Sequence, residues 1–122
     1  MNADVKAVST LEPKEPVKEI SEADFEPVVL KASLPAVLDF YSDGEACKAL
    51  APRFGAVAEK FAGKAVFFRI VHQKAAALAG KLGVTEAPTL VFFKGGKEVG
   101  ERLKGQAIQR TALKAQVEAM LK

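Results

Sequence analysis

At 122 residues, with 49% apolar and 27% charged side chains, the chain is sized for one domain with its own core and is too apolar for wholesale disorder. A net charge of +3, without any run of five like charges, excludes the dense basic patch of a nucleic-acid binder, so no nucleic-acid partner is expected. A single Cys and a single His exclude an intrachain disulfide, an intrachain dithiol centre and a zinc site built from several Cys and His; no metal and no other cofactor is expected.

In chain order, residues 1–16 are polar, carry Pro13 and Pro16, and read as a flexible N-terminal tail ahead of a domain over 17–122. The tail lacks the apolar stretch of a secretory signal. Nothing in the chain approaches 18 uninterrupted apolar residues, so the expectation is a cytoplasmic protein without a membrane span. Val17–Ile20 suits a short edge strand. Ser21 followed by Asp24 has the form of a helix start, and a helix is expected over Glu22–Leu30. The run Ala36-Val37-Leu38-Asp39-Phe40-Tyr41 suits a strand buried on both faces, with Asp39 as its one exception.

Ser42–Ala46 reads as a turn. Leu50, Phe54, Val57 and Phe61 then recur at spacings of 4, 3 and 4, which predicts a helix over Cys47–Phe61, kinked near Lys48–Ala49 by Pro52. Ala65–Val71 is a second buried strand, interrupted by Arg69, and ends at His72, for which a solvent-facing position is expected. Lys74–Leu82 is Ala-rich and helical, closed by Gly83. Thr89–Phe93 is a third buried strand, and Lys94-Gly95-Gly96-Lys97 a hairpin turn into a strand over Glu98–Leu103. Gln106–Leu121 is a final amphipathic helix with Ile108, Leu113, Val117, Met120 and Leu121 toward the core. Strands alternating with helices and ending in a hairpin predict an α/β fold with a mixed sheet.

Three pieces of the chain, in this order and spacing, carry a resemblance. The strand Val37-Leu38-Asp39-Phe40-Tyr41 leads through a short turn into Cys47-Lys48-Ala49-Leu50-Ala51-Pro52. Downstream, Gly83-Val84-Thr85-Glu86-Ala87-Pro88-Thr89-Leu90 precedes Phe92-Phe93-Lys94-Gly95-Gly96, and Lys104-Gly105 follows. Over about residues 17–121 the chain resembles the thioredoxin family. That resemblance implies a thioredoxin-like α/β fold with a five-stranded mixed sheet flanked by four helices.

It also implies where the chain departs. Thioredoxins carry Trp-Cys-Gly-Pro-Cys-Lys at this place, and here stands Gly44-Glu45-Ala46-Cys47-Lys48. Cys47 matches the family's second, resolving Cys. Gly44 stands where the attacking Cys belongs, Ala46 replaces the active-site Pro, and the loop from Phe40 to Cys47 is one residue shorter. Disulfide reduction of this type needs a thiolate to attack and a second thiol to resolve the mixed disulfide. The chain has one thiol, so classical reductase turnover is not expected. Monothiol glutaredoxins retain the first Cys rather than the second, which weighs against a glutathione-dependent cycle.

By the same resemblance Asp39 matches a buried acid that assists proton transfer to the resolving Cys. Arg69 falls where the family has a Lys near that acid. With the attacking Cys gone, a buried ion pair is the plainer role of Asp39 and Arg69, and Arg is expected to hold the acid ionised more firmly than Lys would. Pro88 matches the family's cis-Pro, with Ala87 presenting backbone to extended peptides, and Pro52 its mid-helix proline. Cys47 is either a reactive thiol or a small hydrophobe left from a CxxC ancestor. Asp43 and Glu45 make its loop locally anionic, which disfavours a thiolate.

Two functions follow as expectations. One is a protein with a degenerate active site that docks an extended protein or peptide segment in a groove of Ser42, Asp43, Gly44, Glu45, Ala46, Ala87, Pro88 and Gly105, without dithiol turnover. The other is a thiol redox protein that uses Cys47 alone, through a mixed disulfide or glutathionylation.

Overall fold

In the computed structural model, residues 16–105 and 108–122 are described. The expected tail falls on residues outside that range except for Pro16. The elements are β1 (Val17–Glu19), a 3-10 turn (Glu22–Asp24), α1 (Phe25–Leu30), β2 (Ala36–Tyr41), α2 (Glu45–Lys60), β3 (Val66–Val71), a 3-10 turn (His72–Lys74), α3 (Ala76–Leu82), β4 (Thr89–Lys94), β5 (Lys97–Glu98), β6 (Leu103–Lys104) and α4 (Arg110–Met120).

The sheet runs β1-β3-β2-β4-β5, with β6 also paired to β4. β3 is parallel to both β1 and β2, whereas β4 is antiparallel to β2, β5 and β6. Helices cover both faces, which is why β2 and β4 are nearly continuous apolar runs rather than alternating ones. On one face Val37, Phe67, Leu90 and Phe92 pack against Leu50, Phe54 and Val57 of α2 and Leu113 and Val117 of α4. On the other, Leu38, Phe40, Phe68, Ile70, Val91 and Phe93 pack against Phe25 and Val29 of α1 and Leu78 and Ala79 of α3. Edge-to-face rings seat both layers: Phe54 on Phe67 (5.5 Å) and Phe25 on Phe93 (5.3 Å).

Helix ends are tied to distant elements. The Glu22 carboxylate accepts the Leu78 N–H in the first turn of α3 (2.8 Å). Arg102 donates to the Leu82 and Gly83 carbonyls at its C-terminal end and pairs with Glu98 (2.7 Å). Lys94 donates to the Met120 carbonyl at the end of α4 (2.6 Å).

Five local expectations are corrected. The helix over Glu22–Leu30 is wound as a 3-10 turn and then a π-helical segment, not as one α-helix; Pro27 within it has no N–H to give to the ladder. The expected helix from Lys74 begins only at Ala76, because Ala75 (φ −126°, ψ 39°) breaks the backbone path between the 3-10 turn and α3. The strand Glu98–Leu103 is split into β5 and β6: Val99 still donates to Phe92, but Gly100 has φ +69° and Arg102 turns away to α3. The last helix starts at Arg110, with Gln109 extended, because Ile108 is inserted into the core and its carbonyl is held by Arg53 (3.0 Å). Leu121, placed toward the core by periodicity, is exposed just past the helix end.

α2 runs unbroken through Pro52, starting two residues earlier than Cys47. The hairpin turn stands as read from the sequence, with Gly95 (φ +63°) and Gly96 (φ +83°) both in the left-handed region that the turn requires.

Candidate functional site

Strand register brings three separate segments to one end of the sheet. Phe40 of β2 pairs with Thr89 of β4, so Ser42, just beyond β2, and Pro88, just before β4, lie at the same end. Thr89 also pairs with Lys104 of β6, and the Gly105 N–H donates to the Pro88 carbonyl (3.1 Å). The N-terminus of α2 follows Ser42 and opens at this end as well. The Ala87–Pro88 bond is cis. Pro88 is buried and Ala87 half-buried, as are Ser42, Ala46 and Gly105; Asp43, Gly44 and Glu45 are exposed. Glu86, exposed beside Ala87, lies 4.0 Å from Lys104.

The loop between β2 and α2 is folded over the thiol. Cys47 is only 3% exposed. The Ser42 N–H donates to its Sγ (3.2 Å), and Ser42 Oγ lies 3.6 Å from the same sulfur. Ser42 Oγ in turn accepts the Gly44 N–H (3.2 Å). Gly44 is the N-cap of α2 without a side-chain cap of its own, so this serine takes the place of a capping side chain two residues upstream. Glu45 lies in the first turn, where a negative charge suits the helix dipole. No group of three or more His, Cys, Asp or Glu converges among the described residues.

Asp39 and Arg69 stand side by side across β2 and β3, on the sheet face that α2 covers. Asp39 is 2% exposed, and its nearest cationic atom is Arg69 Nε, 3.8 Å from Oδ2. That is an ion pair without a hydrogen bond. Asp39 Oδ1 and Arg69 Nε are the two buried side-chain polar atoms without a partner among the described residues. Burial pushes the Asp39 carboxyl up to about 7, and the positive charge of Arg69 only partly opposes this. Desolvation thus outweighs the attraction of Arg69, which lacks a hydrogen bond to the acid.

Arg69 is instead stacked on Tyr41, with its guanidinium carbon 3.8 Å from the ring centroid. The Tyr41 hydroxyl donates to Glu19 of β1 (2.5 Å). Burial, the hydrogen bond to Glu19 and that carboxylate's charge push Tyr41 up to about 12, against Arg69. Arg69 also lines an open concavity of about 480 Å³ between Pro16–Val17 and the α2 face at Pro52, Gly55 and Glu59. Pro52 thus sits on α2 beside this concavity, not in the Ser42–Cys47 loop.

Sequence reasoning passed over Glu19 and Tyr41. The signal available was parity: Glu19, Arg69 and Asp39 occupy one cross-strand row, and Tyr41 is two residues on from Asp39 on the same face. His72, expected to face solvent, is half-buried; its ring meets Phe40 edge-on (6.2 Å) and its Nε2 lies 3.4 Å from the Val84 carbonyl.

A model of the thioredoxin family matches residues 16–119. A thioredoxin of Haemophilus influenzae is 34% identical over 71% of this chain and 82% of its own length. One from Peptoclostridium acidaminophilum is 36% identical over 73% of this chain and 82% of its own. The chloroplastic thioredoxin X of Arabidopsis thaliana is 31% identical over 86% of this chain, which spans only 58% of that longer protein. No helix among the described residues is long and apolar enough to cross a membrane.

Proposed function

The chain belongs to the thioredoxin family, and from that premise we propose that it docks extended protein or peptide segments in the groove between Ser42–Ala46, Ala87–Pro88 and Gly105, without dithiol–disulfide turnover. The observation that carries this reading is the strand register that brings those segments to one end of the sheet, where the Ser42 loop covers the one, buried thiol. In this reading Gly44 takes the place of the family's attacking Cys and Cys47 that of the resolving one. An attacking thiolate must reach a disulfide sulfur, and a second thiol must release the product. With one Cys in the sequence, a chain that captured a substrate would have no thiol of its own to release it.

Two measurements test the proposal. Reduction of insulin in the presence of thioredoxin reductase is expected to stay at background, and turnover at ordinary thioredoxin rates would overturn it. In NMR titration with the carboxymethylated insulin B chain as extended probe, shifts are expected at Ser42–Ala46 and Ala87 and not on α4. Ala87→Arg, which puts a long charged side chain at the half-buried groove wall, is expected to abolish them. Shifts that persist in Ala87→Arg, or that centre elsewhere, refute docking at this groove.

One observation favours a second reading. An N–H aimed at sulfur, as from Ser42 to Cys47, is the contact that a thiolate takes. Under this reading Cys47 forms a mixed disulfide with a protein or with glutathione. Incubation with oxidised glutathione followed by intact mass distinguishes the two: a glutathione adduct on the folded chain supports the thiol reading, and its appearance only in urea supports docking.

A further inference from the structure

We propose that Glu19 and Tyr41 are positioning residues for Arg69, holding its guanidinium stacked at the rim of the sheet and off the buried Asp39 carboxyl. The inference does not depend on what binds the groove.

Glu19, Arg69 and Asp39 are neighbours on β1, β3 and β2, so one guanidinium stands between two carboxylates. A guanidinium is a planar fork of five donors, and its preferred contact with a carboxylate is two parallel hydrogen bonds. Neither carboxylate is taken that way. Asp39 Oδ2 is 3.8 Å from Nε, and among the described residues both Nε and Asp39 Oδ1 have no hydrogen-bond partner. Unpaired buried polar atoms are costly, so something must hold the arginine off.

Tyr41 holds it. The guanidinium lies flat over Tyr41, and Tyr41 is fixed in turn by its hydroxyl bond to Glu19. Glu19 thereby spends its carboxylate on Tyr41. Arg69 gains a cation–π contact and stays partly wet, its side chain 29% exposed, whereas Asp39 stays dry and unforked. An arginine that closed on Asp39 would lower its proton affinity strongly; one held at the rim lowers it only through space, and desolvation prevails.

Among the described residues, the other groups around the pair do not supply the missing contact. β4 offers Leu90 in this row. α2 brings Glu59 to the concavity that Arg69 lines, and carries Cys47, which is engaged with Ser42. Lys18 of β1 is registered with Phe68 and so belongs to the opposite face.

The test is a carboxyl-carbon NMR titration of Asp39 in the full chain, in the wild type and four variants. Tyr41→Leu removes the stacking face without changing charge, and is expected to lower the Asp39 midpoint by about one pH unit or more as Arg69 closes in. Tyr41→Phe keeps the face but loses the hydroxyl, and is expected to fall between wild type and Tyr41→Leu. Glu19→Gln, at an exposed strand edge where folding is not at stake, is expected to lower it as well. Arg69→Met is expected to raise it. A midpoint unchanged in Tyr41→Leu and Glu19→Gln overturns the proposal, as does one unchanged in Arg69→Met. A merely structural role for Tyr41 would lower stability and leave the midpoint in place.

Discussion

Replacing Asp39 by Asn removes a buried charge and keeps the shape, so its effect must depend on pH. The folded-state value of about 7 lies above the ordinary carboxyl value of 3.8. A carboxyl raised on folding contributes its full stability below the unfolded value, where both states hold the proton; stability is then lost as pH rises through the folded value. The gap of about three pH units, at about 1.4 kcal/mol each, places that loss at up to about 4 kcal/mol between pH 4 and pH 8. Asn does not titrate. At pH 5 wild type has already lost about 1.5 kcal/mol of this stability, because the unfolded chain releases its proton above 3.8, so the two chains differ there by this and by the cost of an imperfect amide fit. At pH 8 the variant is expected to gain relative to wild type by about 2–4 kcal/mol.

Urea unfolding at both pH values measures this, and the difference of the two differences cancels any pH-independent cost of the substitution. Equal gaps at pH 5 and pH 8 would refute the reasoning, since they would mean that Asp39 titrates alike in the folded and unfolded chain. A gap that grew in the opposite sense would mean that Arg69 pairs with Asp39 more closely than 3.8 Å in solution.

Three further outcomes are expected. Cys47, buried under the Ser42 loop, should react with Ellman's reagent far more slowly in the native protein than in urea; Cys47→Ala, which strands the Ser42 N–H, should cost about 1 kcal/mol more than Cys47→Ser by urea unfolding. Arg102→Ala releases two carbonyls at the end of α3 and one ion pair, and should cost about 1–2 kcal/mol, with amide exchange accelerated in α3. Phe54→Ala empties a buried site facing Phe67 and should cost about 3–5 kcal/mol by thermal or urea unfolding.

The order of strands and helices was readable because each follows from a local period: the apolar run of Ala36–Tyr41, the 4-3-4 spacing of Leu50, Phe54, Val57 and Phe61, and the Gly95-Gly96 turn. Where a boundary was misplaced, a distant contact had overridden the local pattern. Arg53 holds the Ile108 carbonyl and delays α4, and Arg102 reaches across to α3 and divides the last strand. The site was legible in the same uneven way. The family motifs led to Cys47, Asp39 and Pro88, because a motif is a string of neighbours. Glu19 and Tyr41 were not legible, since they reach Arg69 only through the pairing of β1 and β2 with β3.

By itself, then, the sequence determined the number of thiols, the alternation of elements and the family pattern, all of which are properties of residues near one another along the chain. Only the tertiary structure decided that Arg69 lies on Tyr41 rather than forked to Asp39, and that burial, more than the arginine, sets the direction in which the Asp39 carboxyl is pushed. The physical reason is that desolvation and Coulomb attraction depend on distance and burial in space. Residues 19, 39, 41 and 69 acquire these only when three strands are in register.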